Sequence, residues 1–420
     1  MNRRGAARLI AGLLCAAAIL AGVPASVPAG ADARSPILIL LSFDGWRWDY
    51  VDRLRVPNLR ALATRGVRVR ELVPSFPVLT FPNHFTLVTG RYPEHHGIVA
   101  NVMNDPKIGE HFTMSAATAH DSRWWEAEPI WITLERRGCR TAPLFWPGSE
   151  VDFHGTRPTY WKPFDGAMTS EARVAQVLDW LALPEEQRPC FLTLYQDIVD
   201  HAGHDFGPDS PELARAAEQL DHDLGTLTEG IRKLGLEDRT TIVVVSDHGM
   251  TTLSPNRIIW VDDYISMDEV DGTEFDGILE LAPRPNSSTT VGSLYDSLVQ
   301  ANPHLRVFTR ATMPDRLHYS EHRRIPPVIG IPELGWVATT HARRAHRLDE
   351  GLKPQKGTHG FDPRNRDMHA VFIAAGPRVA HGLVAPMMAN VDVYDFLCAV
   401  LGVPPLSNDG NASATRRFLR

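Results

Sequence analysis

The 420-residue chain reads as an α/β protein built around a mainly parallel sheet. Three observations carry that reading. Four short apolar runs look like strands buried on both faces. Amphipathic helical patterns lie between them. Carboxylates follow three of the runs, at the strand ends where open α/β sheets bind ligands.

The first run, ILILLS at 37–42, leads into Phe43, Asp44 and Gly45. In 170–183, Val174, Val177, Leu178 and Leu181 recur at i, i+3, i+4, i+7, one face of a helix. FLTLY at 191–195 runs into Gln196, Asp197 and then Asp200. A stripe of Leu213, Ala217, Leu220, Leu224, Leu227, Ile231 and Leu234 predicts one long helix over 211–234. Asp209 and Ser210 are its cap candidates, and Pro211 suits its first turn. TIVVVS at 241–246 runs into Asp247, His248 and Gly249, and AVFIA at 370–374 is the fourth buried run. Such alternation predicts a parallel sheet flanked by helices. Residues 251–355 are less regular and read as an insertion or cap, not a separate chemistry domain. The tail, 406–420, reads as peripheral.

Composition bounds the function. Hydrophobic residues are 43% and charged residues 22%, an ordinary globular profile. The net charge of −7, with no basic block, argues against coating nucleic acid. Arg3, Arg4 and Arg8, an apolar stretch over 9–23 and Ala31-Asp32-Ala33 form a secretory signal peptide over 1–33. The stretch is shorter than the ~20 residues a membrane span needs. The protein is thus expected to be exported, periplasmic or secreted, with no stable anchor after cleavage. Cys15 follows Leu14, where a lipidation site wants a small residue. Cys139, Cys190 and Cys398 then allow one bridge at most. Cys398, in the apolar stretch DVYDFLCAVLGV, is expected as a buried free thiol. Without a Cys-x-x-Cys pair, a metal site would use N and O ligands.

The candidate chemistry starts at PVLTFPNHFTLVTG, 77–90. Thr80 has two readings there. It caps a structural helix that starts near Pro82, or its hydroxyl sits where a phosphate binds the helix's positive end. Asp200 and His204 are four apart and share a helix face. Asp247-His248 follow a strand, with Gly249 freeing the turn. His359 lies in Gly357-Thr358-His359-Gly360. Each alone is equally a solvated loop or a capped turn. Together, Asp44, Asp200, His204, Asp247, His248 and His359 supply carboxylates and imidazoles enough for two zinc-like ions. Paired metals suit in-line phosphoryl displacement, and an ionised Thr hydroxyl is a nucleophile.

The segments FDGWRWDY, PSFPVLTFPNHFTLVTGRYPEHHGIVAN, WPGSEV, DHAGHDFGP, VVVSDHGM and GTHGFDP occur in this order. Together they resemble the nucleotide pyrophosphatase/phosphodiesterase family of the alkaline phosphatase superfamily. The resemblance implies an alkaline phosphatase-like fold with a catalytic domain over 34–405. It implies a hydrolase of small-molecule phosphate diesters and pyrophosphates, first of all nucleotides, releasing nucleoside 5′-monophosphate through a phosphothreonine. It implies Thr80 as nucleophile and Asn101 as a hydrogen-bond donor to a phosphoryl oxygen. Two Zn²⁺ per subunit are implied, one on Asp200, His204 and His359, the other on Asp44, Asp247, His248 and Thr80. Phe81 and Tyr160 are the expected stacking partners of a base. Trp146 is expected as a structural wall, and His84, His95 and His96 as supports.

Two departures stand out. Leu79 occupies a place where many members carry Lys, which bears on substrate preference. The extra terminal domains of animal members are expected to be absent, as in bacterial members. Alternatives on the same bimetal core are a phosphonoacetate hydrolase, a lipid-type phosphodiesterase or a phosphomonoesterase. A binding protein with a decayed site is disfavoured, because no ligand is missing.

Overall fold

A computed structural model of the protein describes residues 35–115, 117–349 and 351–420. The expected signal peptide and Cys15 lie outside the described residues. The central sheet comprises β1 (Ile37–Phe43), β2 (Val67–Val73), β3 (Thr141–Leu144), β4 (Phe191–Gln196), β5 (Thr240–Val245), β6 (Ala370–Ala375) and β7 (Leu383–Ala389). Their order is β7-β2-β6-β5-β1-β4-β3. β1 pairs in parallel with both β4 and β5, β3 with β4, and β7 with β2.

One expectation about direction is corrected. β6 was expected to be parallel, yet it runs antiparallel to both neighbours, β5 and β2. A run buried on both faces looks the same in either direction. Connectivity decides: the chain re-enters the sheet from the edge at which β5 left it, so no crossover helix is needed.

Alternation within the strands divides two cores. Leu38 and Leu40 of β1 face one cluster, with Phe85, Leu87 and Val88 of helix α1 (Thr80–Thr89). Ile37, Ile39, Leu41 and Phe43 face the other, covered by α2 (Ser170–Leu181) and α4 (Pro211–Lys233). Each buried Leu or Ile contributes roughly 1.5–3 kcal/mol. Both predicted helices form with capped starts. Thr169 Oγ1 accepts from Ala172 N–H, and Ser210 Oγ accepts from Leu213 N–H, with Pro211 in the first turn.

The stretch 251–355 is more ordered than its sequence suggests. Strands Val270–Glu274, Leu279–Pro283, Val328–Pro332 and Leu305–Thr309 form an antiparallel sheet in that order, with an apolar cluster of its own. The tail over 406–420 is largely exposed but is anchored by long-range contacts. Phe418 is 1% exposed and packs against Phe372 and Phe396. Asp409 accepts from Tyr92 N–H and holds His95 at 2.7 Å. One aromatic in a polar segment found a long-range partner that no local pattern signals.

Cys139 and Cys190 form a disulfide, and Cys398 is a buried free thiol. The bridge ties the amino ends of β3 and β4. Among the described residues, no helix is long and apolar enough to cross a membrane.

Candidate active site

Three strand exits meet at the carboxyl edge of the sheet. Asp44 follows β1, and Asp247 stands two residues beyond β5. Helix α3 (Ile198–Phe206), which begins just after β4, carries Asp200 and His204 one turn apart. Gly45 makes the approach between them feasible. Its φ is +68°, and a Cβ there would lie 2.9 Å from Asp200 Cα. His359 arrives from the returning chain, just before β6.

The side chains converge. Ligand atoms of Asp44, Asp247 and His248 lie within 4.8 Å of one another, and so do those of Asp200, His248 and His359. His204 sits on the open side, its Nε2 3.5 Å from Asp200 and its ring 5.1 Å from that of His359. All three imidazoles are oriented alike. Nδ1 of His204, His248 and His359 faces the carbonyls of Gly357, Gly249 and Val78 at 2.9, 2.9 and 2.7 Å. Each Nε2 is thereby aimed inward, the usual way a protein presents a metal-binding imidazole.

The electrostatics ask for a cation. Asp44 Oδ1, Asp200 Oδ1 and Asp247 Oδ2 are buried without a hydrogen-bond partner. Burial, with Asp247 and Asp200 close by, pushes the Asp44 carboxyl well above its usual range. Burial also pushes Asp247 upward, but His248 and His84 outweigh it and hold the carboxyl low. Burial and its neighbours His248 and His204 hold His359 well below the usual imidazole range, so it is neutral. Clustered carboxylates with orphaned oxygens beside neutral imidazoles fit divalent ions. A third grouping, Asp262, Asp263 and His341, lies elsewhere on the surface, where Asp262 accepts from the His341 backbone.

Thr80 borders the cluster, with Oγ1 3.4 Å from His248 Nε2. It is not a cap, a further correction. Leu79 is the N-cap, in extended backbone, and Thr80 is the first helical residue, ahead of the expected start near Pro82. Its hydroxyl is therefore not spent on a backbone N–H. Asn101 does the capping work, because its Oδ1 accepts from Phe81 N–H at 2.9 Å. The NH₂ end of Asn101 is left to donate. Glu274 in turn supports this turn of chain, accepting from Val102 N–H at 2.8 Å and from the Asn101 backbone. Leu79 is 6% exposed and packs into the core, so its side chain does not face the site.

The supports behave as expected. His84 bridges Ser42 Oγ at 2.8 Å and the Thr80 carbonyl at 2.9 Å. Trp146 Nε1 donates to the His84 carbonyl. His96 is fully buried on Thr86 Oγ1, and burial pushes it down to about 3. Sequence reasoning missed Tyr195, whose hydroxyl donates to Asp44 Oδ2 at 2.6 Å. As the last residue but one of β4, it is visible only as part of an apolar run.

The aromatic expectations divide. Phe81 sits next to Thr80, partly exposed, against Phe112 and Trp125. Tyr160 is not brought to the crevice. Its N–H bonds Thr141 at the amino end of β3, its ring stacks on Trp180, and its hydroxyl donates to the Gln187 carbonyl. Those partners lie at the opposite end of the sheet. Phe164, four residues on, is 52% exposed and stands edge-on to Phe145 and Tyr195. It is the aromatic from that loop that reaches the crevice side.

Known proteins share the sequence and the fold of this chain. The family model for type I phosphodiesterase/nucleotide pyrophosphatase matches residues 38–362. An uncharacterised pyrophosphatase/phosphodiesterase of Schizosaccharomyces pombe is 38% identical, covering 91% of this chain and 80% of that protein. Human ectonucleotide pyrophosphatase/phosphodiesterase family member 5 is 34% identical, covering 94% of this chain and 80% of that protein. A venom phosphodiesterase of Crotalus durissus collilineatus is also 34% identical, and this chain spans about half of it, 47%. The solved human family member 5 superposes with a TM-score of 0.85 at 32% identity, over 91% of this chain and 99% of that one. These relatives are fungal, mammalian and reptilian, so the expected bacterial subtype gains no support. The fold is therefore alkaline phosphatase-like and the protein a hydrolase of phosphodiester bonds. By sequence and by fold, the chain belongs to the type I phosphodiesterase/nucleotide pyrophosphatase family.

Proposed function

We propose that the protein is an exported, zinc-dependent nucleotide phosphodiesterase/pyrophosphatase that works through a phosphothreonine on Thr80. The observation that carries this is the position of Thr80 Oγ1: at the first turn of α1, unspent on capping, and beside a cluster with three orphaned carboxylate oxygens. Asp44, Asp247 and His248, with Thr80, would hold one ion, and Asp200, His204 and His359 the other. Such a pair supplies Lewis acidity that eases ionisation of a hydroxyl and neutralises phosphoryl charge.

The chain's own groups account for the rest. Thr80 Oγ1 attacks phosphorus in line, and the α1 amino end attracts the anionic group. The Asn101 amide donates to a phosphoryl oxygen as charge develops. Tyr195 holds Asp44 in place through its hydroxyl. Phe81 and the exposed Phe164 offer flat faces for a base. A murine relative of the same fold was solved as an inactive threonine-to-alanine variant in complex with AMP. That pairing of an essential threonine with a nucleoside monophosphate favours the same roles here.

Export is supported by the Cys139–Cys190 bridge, because disulfides persist in oxidising compartments. The named relatives include ectoenzymes and venom enzymes. Zinc-loaded protein should cleave p-nitrophenyl thymidine 5′-monophosphate much faster than p-nitrophenyl phosphate. Equal or reversed rates would sink the diesterase reading. Phosphonoacetate and lysophosphatidylcholine in the same panel test the alternatives.

A further inference from the structure

The insertion over 251–355 reaches back to the reacting cluster through one hairpin. Its strands Val270–Glu274 and Leu279–Pro283 pair antiparallel, and this hairpin meets the crevice residues at two places. A Cβ on Gly277 would lie 1.9 Å from the His359 carbonyl oxygen, so only glycine lets the turn lie against the His359 backbone. Glu274 Oε1 accepts from Val102 N–H at 2.8 Å, and the Glu274 carboxyl also accepts from the Asn101 backbone.

A second contact holds the same turn of chain just ahead of Asn101. Tyr319 is buried, and its hydroxyl lies 2.9 Å from the Val99 carbonyl and against Glu280 Oε1. Its ring stands edge-on to Phe76 at 5.1 Å, on the stretch that leads into Thr80. A tyrosine has one proton to donate, so both contacts are hydrogen bonds only when Glu280 carries a proton of its own. Burial, against the hydrogen bonds of Tyr319 and Thr273, pushes the Glu280 carboxyl from 4.5 up to about 7, which makes that proton available. Glu280 stands directly opposite Glu274 across the strand pair. Facing carboxylates in a low-dielectric sheet disfavour ionising together. The pair is costly to the fold, and its outward contacts converge on residues 99–102.

We infer that Glu274 is a positioning residue for the reaction: it fixes the backbone of Asn101, so that the side-chain amide, already tied at Oδ1 to Phe81 N–H, presents its NH₂ to a phosphoryl oxygen. This rests on the phosphodiesterase reading, in which that amide donates as charge develops. Glu274 acts on the reacting phosphoryl group only through Asn101. An amide pinned at both backbone and side chain has little freedom left to lose when the transition state forms. With Glu274 gone, the turn over 99–102 can shift by the fraction of an ångström that separates a donor aimed at developing charge from one that misses it.

The test uses the full zinc-loaded chain and p-nitrophenyl thymidine 5′-monophosphate. Glu274→Ala should lower kcat roughly tenfold or more with KM within about twofold, the split expected when an interaction is lost only in the transition state. Glu274→Gln, which still accepts from Val102 N–H, should regain most of that loss. Asn101→Ala should be slower still, by about 10²-fold, and adding Glu274→Ala to it should cost less than about a further twofold. Hydrogen exchange at the Asn101 and Val102 amides should speed roughly tenfold in Glu274→Ala, while the amides of β1 keep their protection. Should Glu274→Ala not fold, Glu274→Asp, which withdraws the carboxyl by one methylene, is measured in its place with the same expectations. Losses that multiply in the double variant, or a raised KM at unchanged kcat, overturn the proposal. So does full activity in Glu274→Ala beside a slow Asn101→Ala, which leaves the phosphodiesterase reading intact. An Asn101→Ala enzyme as fast as the wild type removes the donor and the proposal with it. If the wild type cleaves no diester, the functional reading falls and exchange decides the clamp: faster exchange in Glu274→Ala upholds it, and unchanged exchange overturns it.

Discussion

At its amino edge the central sheet is tied by the Cys139–Cys190 bridge and by Tyr160 stacked on Trp180. At its carboxyl edge the same strands release Asp44, Asp200 and Asp247 into one crevice, each with a buried oxygen that nothing in the protein satisfies. The first edge gathers contacts that lower the free energy of the fold. The second accumulates like charge and desolvation, which raise it unless a cation is bound. Function is thus placed where the strands give precise positions, and the stabilising cross-link is placed well away from it.

The largest expected effect tests the chemistry alone. Thr80→Ala should lower kcat by ~10³-fold or more, while metal content and melting temperature hold. Retained turnover would remove Thr80 as nucleophile. Asp44→Asn comes next, and it should act with opposite signs. Metal content and activity should fall, yet the metal-free protein should melt higher, because the carboxyl that burial, Asp247 and Asp200 push upward is gone. A lower melting point in chelator would contradict the account of the crevice as a strained edge. Removing the amino-edge tie with Cys139→Ser plus Cys190→Ser should do the reverse. The bridge closes a separation of 51 residues, for which the chain-entropy treatment gives about 4 kcal/mol. Stability should drop by up to that amount, with kcat within about twofold.

Glu274→Gln should have a subtler effect, through pH. Burial, helped by Glu280, pushes the Glu274 carboxyl from 4.5 up to about 8. A carboxyl raised in the folded state adds stability that is complete below the unfolded value, near 4.5, and is lost as pH rises through about 8. The wild type should therefore lose melting temperature between pH 5 and 8, and Gln, which still accepts from Val102, should flatten that loss by roughly a few degrees. An unchanged slope would show that Glu274 does not titrate as placed. Smallest of all, Tyr160→Phe should leave nucleotide KM within about twofold, whereas Phe164→Ala should raise it several-fold through lost stacking. The opposite pattern would return Tyr160 to the crevice.

The site was more legible in the sequence than the sheet around it. Asp44, Asp247 and His248 sit within a few residues of apolar strand runs, and Asp200 and His204 share one helical turn, so local pattern alone placed them together. What depends on distant contacts was not legible. In RPTYWKPFD the aromatics Tyr160 and Phe164 are separated by one short loop, and which of them reaches the crevice is decided by Trp180 and Gln187 on one side and Tyr195 on the other. β2, VRVRELV, was passed over because its half-exposed Arg and Glu dilute the apolar signal, though its burial alternates as a strand's does. A cap is one of the two readings that residue type allows Thr80, but the side-chain oxygen that meets the first turn of α1 is that of Asn101, twenty residues away.

The reversed direction of β6 has a consequence for how such an enzyme diversifies. β5 leaves the sheet at the crevice edge, and β6 enters at that same edge, with Phe372 paired to Val245. The whole stretch between them is therefore an excursion whose two roots stand side by side on one rim. It can lengthen, shorten or be exchanged without moving a strand, so long as it keeps Asp247 and His248 at its first root, returns His359 at its second and holds Glu274 against the Asn101 turn. Selection on this chain can rewrite what the enzyme accepts in a single replaceable cassette while the reacting atoms stay where they are.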